Sequence, residues 1–461
     1  MLVVGAKSFN SLSRLEDPEF TIKEAQVITQ YPGASAAEVE QEVTNVIEKA
    51  VQQLGQLDYV ESRSSRGVSI VKAVIKSNYD KSTLPQVWDE LRRKVNDAQA
   101  QLPPGTITSV VNDDFGDVFG IYLAITGDGF SYDEVNEYAK FLQRELLPVQ
   151  DVKKITLYGN RPEAVFVEMK RHNMAKFGIS PQQIIDTLQL KNIPTAAGNL
   201  TLGDEYIAVS PTGEFNSVEE FGDLLITANQ GENKQLVLLK DVATISRGYQ
   251  DPAKSILRFN GTQAIGIGIS TISGGNVVNM GEGIEQKLRE LQPLIPLGLE
   301  TNVISLQSQA VTIAIDGFKQ NLLASIAIVV LVLLVSMGLR SGLIIGAILA
   351  VTILGTFIFM KLGNMTLERI SLGALVIALG MLVDNAIVVT DGMRMKMQKG
   401  IDALTAAKDV VGQTAVPLLG ATVVAIAGFA AIGTSDDSTG EYCRSLFIVI
   451  LISLLLSWLT A

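Results

Sequence analysis

With 47% hydrophobic and only 18% charged residues, a chain of 461 residues is too apolar for an ordinary soluble protein, where about a quarter are charged. The net charge of −11 excludes nucleic acid as the main partner, because phosphates are held by clustered Lys and Arg. A single cysteine, Cys443, and a single histidine, His172, exclude an intrachain disulfide and a Cys/His zinc site.

The opening MLVVGA has no basic flank and is too short to span, so residues 1–9 read as the remnant of a first transmembrane helix. Residues 22–31 alternate as a strand, 36–54 have helical periodicity, 58–64 and 67–76 read as strands, 84–101 as a helix and 106–112 as a strand. That βαββαβ order is the split βαβ, or ferredoxin-like, unit. A second copy starts with a strand at 118–126, a helix at 131–147 and a strand at 152–158, then breaks off. Its missing half returns as a strand at 263–271, a helix at 276–291 and a strand at 299–305, so roughly 170–260 is an insertion with its own helix at 181–191. Two such units side by side predict a cleft lined from both, a preferred ligand position; two structural domains without a ligand are the alternative.

Apolar runs follow at Leu322–Leu339, Leu343–Met360, Ile370–Thr390 and Ala415–Gly433, with Leu446–Ala461 as a truncated fifth. The predicted fold is therefore an α+β module of two ferredoxin-like units, the second split by an insertion, joined to an α-helical transmembrane bundle. Both ends are expected to be cuts from a longer protein. The loops at 340–342 and 391–414 carry Arg340, Arg394, Lys396, Lys399 and Lys408, whereas 434–444 carries Asp436, Asp437 and Glu441 against Arg444. Lys and Arg collect on the cytoplasmic side, which puts the 10–318 module outside.

Asp384 is the one charge within Ile370–Thr390. A carboxylate at that depth costs at least about 2.5–3.5 kcal/mol on insertion scales and marks a binding or relay function, or else an ion pair that fixes helix packing. No GxxxxGK[ST] loop, nucleophile elbow or HExxH pattern occurs, so neither ATP hydrolysis nor bond-making catalysis has a candidate site.

The segments PEFT (18–21), YPGASAAEVEQEV (31–43), ITLYG (155–159), GFKQNLLASIAIVVLVLLVSMGLRSGLI (317–344), LGMLVDNAIVV (379–389) and STGEYCR (438–444) together resemble the resistance-nodulation-division (RND) family of proton-driven exporters. The resemblance implies the N-terminal half of a permease in the inner membrane of a Gram-negative cell, with porter units at 22–112 and at 113–169 plus 261–310. It implies a docking subdomain at 170–260 and transmembrane helices at 322–461. It also implies a homotrimer in membrane lipid, docked to a periplasmic adaptor protein and an outer-membrane channel; the stretch 196–221, where the family often carries a long hairpin reaching into the neighbouring subunit, is somewhat shorter here.

Proton-motive force supplies the energy in such exporters and no cofactor is expected. Asp384 falls on the family's proton-relay position, but Asn385 stands where many drug exporters have a second aspartate, so at most one carboxylate titrates and Asn385 supports it by hydrogen bonds. The relay's cationic partner is a lysine in the second half. Phe119 and Tyr158 are substrate-contact candidates on the split unit, with Phe115 nearby; core packing is the alternative for each. Amphiphilic drugs are the expected cargo. A soft metal ion is the alternative, drawing on the Met residues of the membrane half, although metal exporters tend to have Asp-Ala-Ala at this motif. A non-transporting membrane binding or sensory protein is the alternative outside the family.

Overall fold

Apolar residues at every second position of EAQVITQ give a strand with one buried face, and the first sheet is built around it. The computed structural model describes residues 1–19, 21–114, 118–191, 199–202, 205–208, 215, 217–230 and 233–461. They form two units, 1–157 with 267–461, and 158–266.

After α1 (Leu2–Ser11) come β1 (Glu24–Gln30), then α2 (Ala36–Glu38) and α3 (Asn45–Val51) joined by a π-wound turn (Val39–Thr44). The hairpin β2 (Leu57–Ser65) and β3 (Val68–Ile75) follows, then α4 (Leu84–Ala98) and β4 (Val110–Asn112). The sheet order is β2-β3-β1-β4 with antiparallel neighbours. Register places Ala25 opposite Ala73 and Val27 opposite Val71, all buried against Leu84, Val87, Leu91 and Val95 of α4. At one end the pattern turns polar, and the buried Thr29 and Ser69 hydroxyls are satisfied by Ser109 at 2.6 Å and Thr44 at 2.7 Å. The strand expected at 106–112 shrinks to three residues: Pro103 and Pro104 lack backbone donors and Gly105 turns at φ +90°, so regular pairing begins only at Val110.

The second set opens with β5 (Ile121–Gly127), α5 (Tyr132–Leu146) and β6 (Val152–Tyr158). The chain then runs through β7 (Glu163–Met169), α6 (Arg171–Phe177), α7 (Pro181–Lys191), β8 (Asn199–Leu202) and β9 (Glu205–Ala208). It continues through α8 (Val218–Gly222), β10 (Leu225–Gln230), β11 (Asn233–Leu238), α9 (Leu239–Val242), β12 (Ala243–Tyr249) and β13 (Leu257–Phe259). It returns along β14 (Thr262–Thr271), α10 (Val277–Leu291) and β15 (Leu299–Leu306). In the first unit the order β6-β14-β5-β15 repeats that of β2-β3-β1-β4. Ala264 to Ser270 are buried without alternation, as a strand covered on both sides requires.

In the 158–266 unit the hairpins β8-β9 and β10-β11 and the pair β7-β12 are antiparallel, and Ile184, Ile226, Leu239 and Val242 form its core. Strand β7, grouped by sequence with the split porter half, pairs with β12 inside this unit. Much of 196–221, where the inter-subunit hairpin was expected, lies outside the described residues.

Helix α11 (Gln307–Met337) starts directly after β15 and enters the bundle with α12 (Leu339–Leu362), α13 (Arg369–Gln398), α14 (Ala403–Gly433) and α15 (Ser438–Thr460). These five described helices are long and apolar enough to cross a membrane, so the chain is a membrane protein with a large α/β module. Polar ends extend the helices beyond the apolar runs, and the loop expected at 391–414 contracts to 399–402, with Asp402 capping α14 through the Leu404 amide at 3.2 Å. Arg394 donates to the Met337 carbonyl at 3.2 Å and so caps the C-terminus of α11. Helix α1 lies on α12: a Cβ at Gly5 would stand 2.4 Å from the Leu354 carbonyl oxygen, and Phe9 meets Phe357 edge-on.

Candidate functional site

Apolar side chains on most of its circumference seat α13 among α12, α14 and α15, with Leu375, Ala378, Leu382 and Ala386 buried. Gly373, Ile377, Gly380, Asp384, Val388 and Asp391 recur at intervals of three and four and share the exposed side of the helix. Nothing lies within 4 Å of a Cβ built on Gly373 or Gly380. Asp384 therefore stands near the middle of a smooth, open, apolar face, and among the described residues no hydrogen bond or ion pair holds its carboxylate.

One residue on, Asn385 turns inward and is 7% exposed. Its side-chain amide donates to Ser457 Oγ of α15 at 3.4 Å, and that hydroxyl donates to the Leu382 carbonyl at 2.8 Å. Neighbours on a helix differ by about 100° in direction, so adjacent polar residues serve different faces. Asn385 is bound to α15, and no hydrogen bond between it and Asp384 is found among the described residues.

At the other end of α13, Glu368 is 1% exposed and caps the helix, accepting from the Ile370 amide at 3.0 Å while its own amide donates to Ser371 Oγ at 2.9 Å. Burial pushes the Glu368 carboxyl up; the Ser445 hydroxyl and the Ile370 and Ser371 amides oppose this, and Asp17 adds to it. The linker before β1 is knit to this cap: Leu367 N donates to Ser13 O at 2.8 Å and Arg369 N to Glu16 O at 3.1 Å.

In the α/β module Phe119 is half-buried just ahead of β5, its ring over Gly268 of β14, where a Cβ would stand 2.8 Å from the ring. Tyr158 ends β6 and is 38% exposed. Gly159 after it has φ +72°, and a Cβ there would meet Leu257 Cβ at 2.7 Å, so the Tyr-Gly pair has a backbone reason. Phe115 lies outside the described residues. A cavity of about 400 Å³ in the first unit is lined by Leu15, Glu19, Lys81, Val118, Ser273 and Gln307 among others, and neither Phe119 nor Tyr158 lines it. At its edge burial opposes ionisation of Glu19, but Lys81, the Gly274 amide and Ser273 outweigh it and hold the carboxyl below its usual range.

Sequence reasoning isolated Asp384 and Asn385 but missed Glu368 and Ser457. Glu368 followed three residues later by Ser371 at the start of an apolar run is a readable cap signal, whereas a serine in SLLLSW gives no sign of the helix it faces. A family model described as the AcrB/AcrD/AcrF family matches residues 1–461, the full length given. The chain belongs to this family of RND-type permeases, which are transporters.

Proposed function

We propose that the chain is the proton-coupled part of an inner-membrane efflux permease for drugs and other amphiphilic compounds, with Asp384 as the titrating group. The observation that carries this reading is the Asp384 carboxylate on an open apolar face of α13 without a partner among the described residues. Hydrocarbon is a poor home for such a charge, so in the membrane this face meets protein, and Gly373 and Gly380 let a neighbouring helix come close. The family resemblance assigns that neighbour a lysine. Ionised Asp384 holds the cation; protonation neutralises the carboxylate, frees the cation and lets α13 move, so the proton gradient biases one arrangement over the other. Asn385 cannot titrate and keeps α13 fastened to α15 while Asp384 cycles.

The two βαββαβ sheets then serve as ferredoxin-like porter units in the periplasm, with the intervening unit docking an adaptor protein and outer-membrane channel, in a trimer. Charge supports this orientation, since Arg340, Arg394, Lys396 and Lys399 gather at one end of the bundle and Asp436, Asp437 and Glu441 at the other. Phe119 and Tyr158 offer aromatic area for amphiphiles without fixed hydrogen-bond geometry. Asp384→Ala in the natural protein, expressed in a pump-deficient strain, is expected to abolish efflux of a fluorescent amphiphile at unchanged expression. Unchanged efflux would reject the assignment, and selective loss of metal tolerance would move the cargo to cations.

A further inference from the structure

We infer that α15 is the strut that carries movement of α13 to the first sheet of the α/β module, with the Lys23–Glu441 ion pair as its outer joint. This rests on the proton-coupled reading above, and adds two positioning residues far from Asp384 to it.

At its inner end α15 is fastened to the Asp384 turn of α13, where the 1%-exposed Ser457 stands between the Asn385 amide and the Leu382 carbonyl. From Ser457 to Glu441 the helix is unbroken and free of proline, about 24 Å at 1.5 Å per residue. A helix with no proline to kink it passes displacement along its axis with little loss.

At the outer end Glu441 Oε2 lies 3.4 Å from Lys23 Nζ, and Glu441 Oε1 accepts from the Thr21 hydroxyl. Lys23 is 9% exposed, and its ammonium also donates to the Ser77 carbonyl at 2.6 Å. Its backbone belongs to the sheet: Ile75 N donates to Lys23 O at 2.8 Å, and β1 begins at the next residue. Tyr442, one step along α15, donates to Asp17 at 2.9 Å, so the first turn of the strut grips the whole linker.

The chemistry of the joint favours transmission over simple adhesion. With Lys23 9% and the Glu441 side chain 25% exposed, the pair is largely withdrawn from water; such a pair adds little net stability over apolar residues of the same shape, yet separating its partners strands a partly desolvated charge. Glu441 Oε2 is buried and makes no hydrogen bond among the described residues, so Lys23 is its one counter-charge there. A shift of α15 therefore pulls Lys23, and with it the β1–β3 register, instead of sliding past.

The test uses the natural protein in proteoliposomes, with substrate efflux and proton flux measured together for wild type, Lys23→Met, Glu441→Gln and the swap Lys23→Glu/Glu441→Lys. Substrate moved per proton is expected to fall at least tenfold in each single variant and to recover to within about threefold of wild type in the swap. A ratio equal to wild type in the single variants, whether or not both fluxes drop together, overturns the strut, as does a swap no better than the single variants. A wild type that shows no proton-coupled flux refutes the functional reading instead.

Discussion

Ser457→Ala removes the side-chain hydrogen bonds found, among the described residues, between α15 and the Asp384 turn, and the size of the effect follows from the geometry. Two hydrogen bonds vanish. The bond from Ser457 to the Leu382 carbonyl, at 2.8 Å, supplements an oxygen already placed in the α13 ladder, so its loss leaves nothing unsatisfied. The bond from Asn385, at 3.4 Å, is long, but its loss leaves a 7%-exposed amide without its acceptor. An unsatisfied buried donor costs about 1–3 kcal/mol in soluble proteins, while side-chain hydrogen bonds between membrane helices average about 0.6 and reach about 1.7 kcal/mol. The long distance puts the expected loss near 1 kcal/mol, with about half or more of it coupled to Asn385. Reversible unfolding of the purified protein in detergent, for Ser457→Ala, Asn385→Ala and the double variant, measures both quantities. Additive effects, with a coupling below about 0.3 kcal/mol, would refute the bridge between α13 and α15.

Two carboxyls give pH effects of opposite sign. Glu368, raised above the ordinary 4.5, lends stability that is full below that value and is lost as pH rises through its folded value; Glu368→Gln should flatten this acid-side preference in melting curves, and parallel curves would contradict it. Glu19 is lowered, so its contribution is present above 4.5 and disappears as pH falls through its folded value; Glu19→Gln should remove that acid-induced loss. Gly433→Ala brings a Cβ to 2.4 Å from Phe447 and is expected to destabilise the bundle by about 1–3 kcal/mol, read from the denaturation midpoint. Tyr158→Ala should alter the ranking of transported amphiphiles at normal protein yield, since the ring is 38% exposed; a general drop in folded protein would assign it to the core.

Strands and helices of the α/β module were legible because their apolar residues recur at intervals of two or of three and four, and Ser131 with Glu134 marks the start of α5 as a capping box does. The interrupted second repeat was legible from the same periodicities, and its sheet order matches that of the first. Helix lengths in the membrane half were underread, because polar turns such as Arg394–Gln398 continue α13 beyond the apolar run that hydropathy detects. Asp384 announced itself as an isolated charge, but which way it faces depends on the packing of α13 against α12, α14 and α15. The pairing of Lys23 with Glu441 escaped notice for a related reason: they stand 418 positions apart, in segments that look like ordinary solvated surface, and only the fold brings them together, with Lys23 buried and Glu441 partly so.

Proton coupling at Asp384 is tested most directly in proteoliposomes of the natural protein, by following acidification or alkalinisation of the lumen as an amphiphilic substrate is added, for wild type and Asp384→Asn. Substrate-dependent proton flux is expected in the wild type and none in the isosteric variant, at equal reconstituted protein. Proton flux of wild-type size from Asp384→Asn would contradict that coupling.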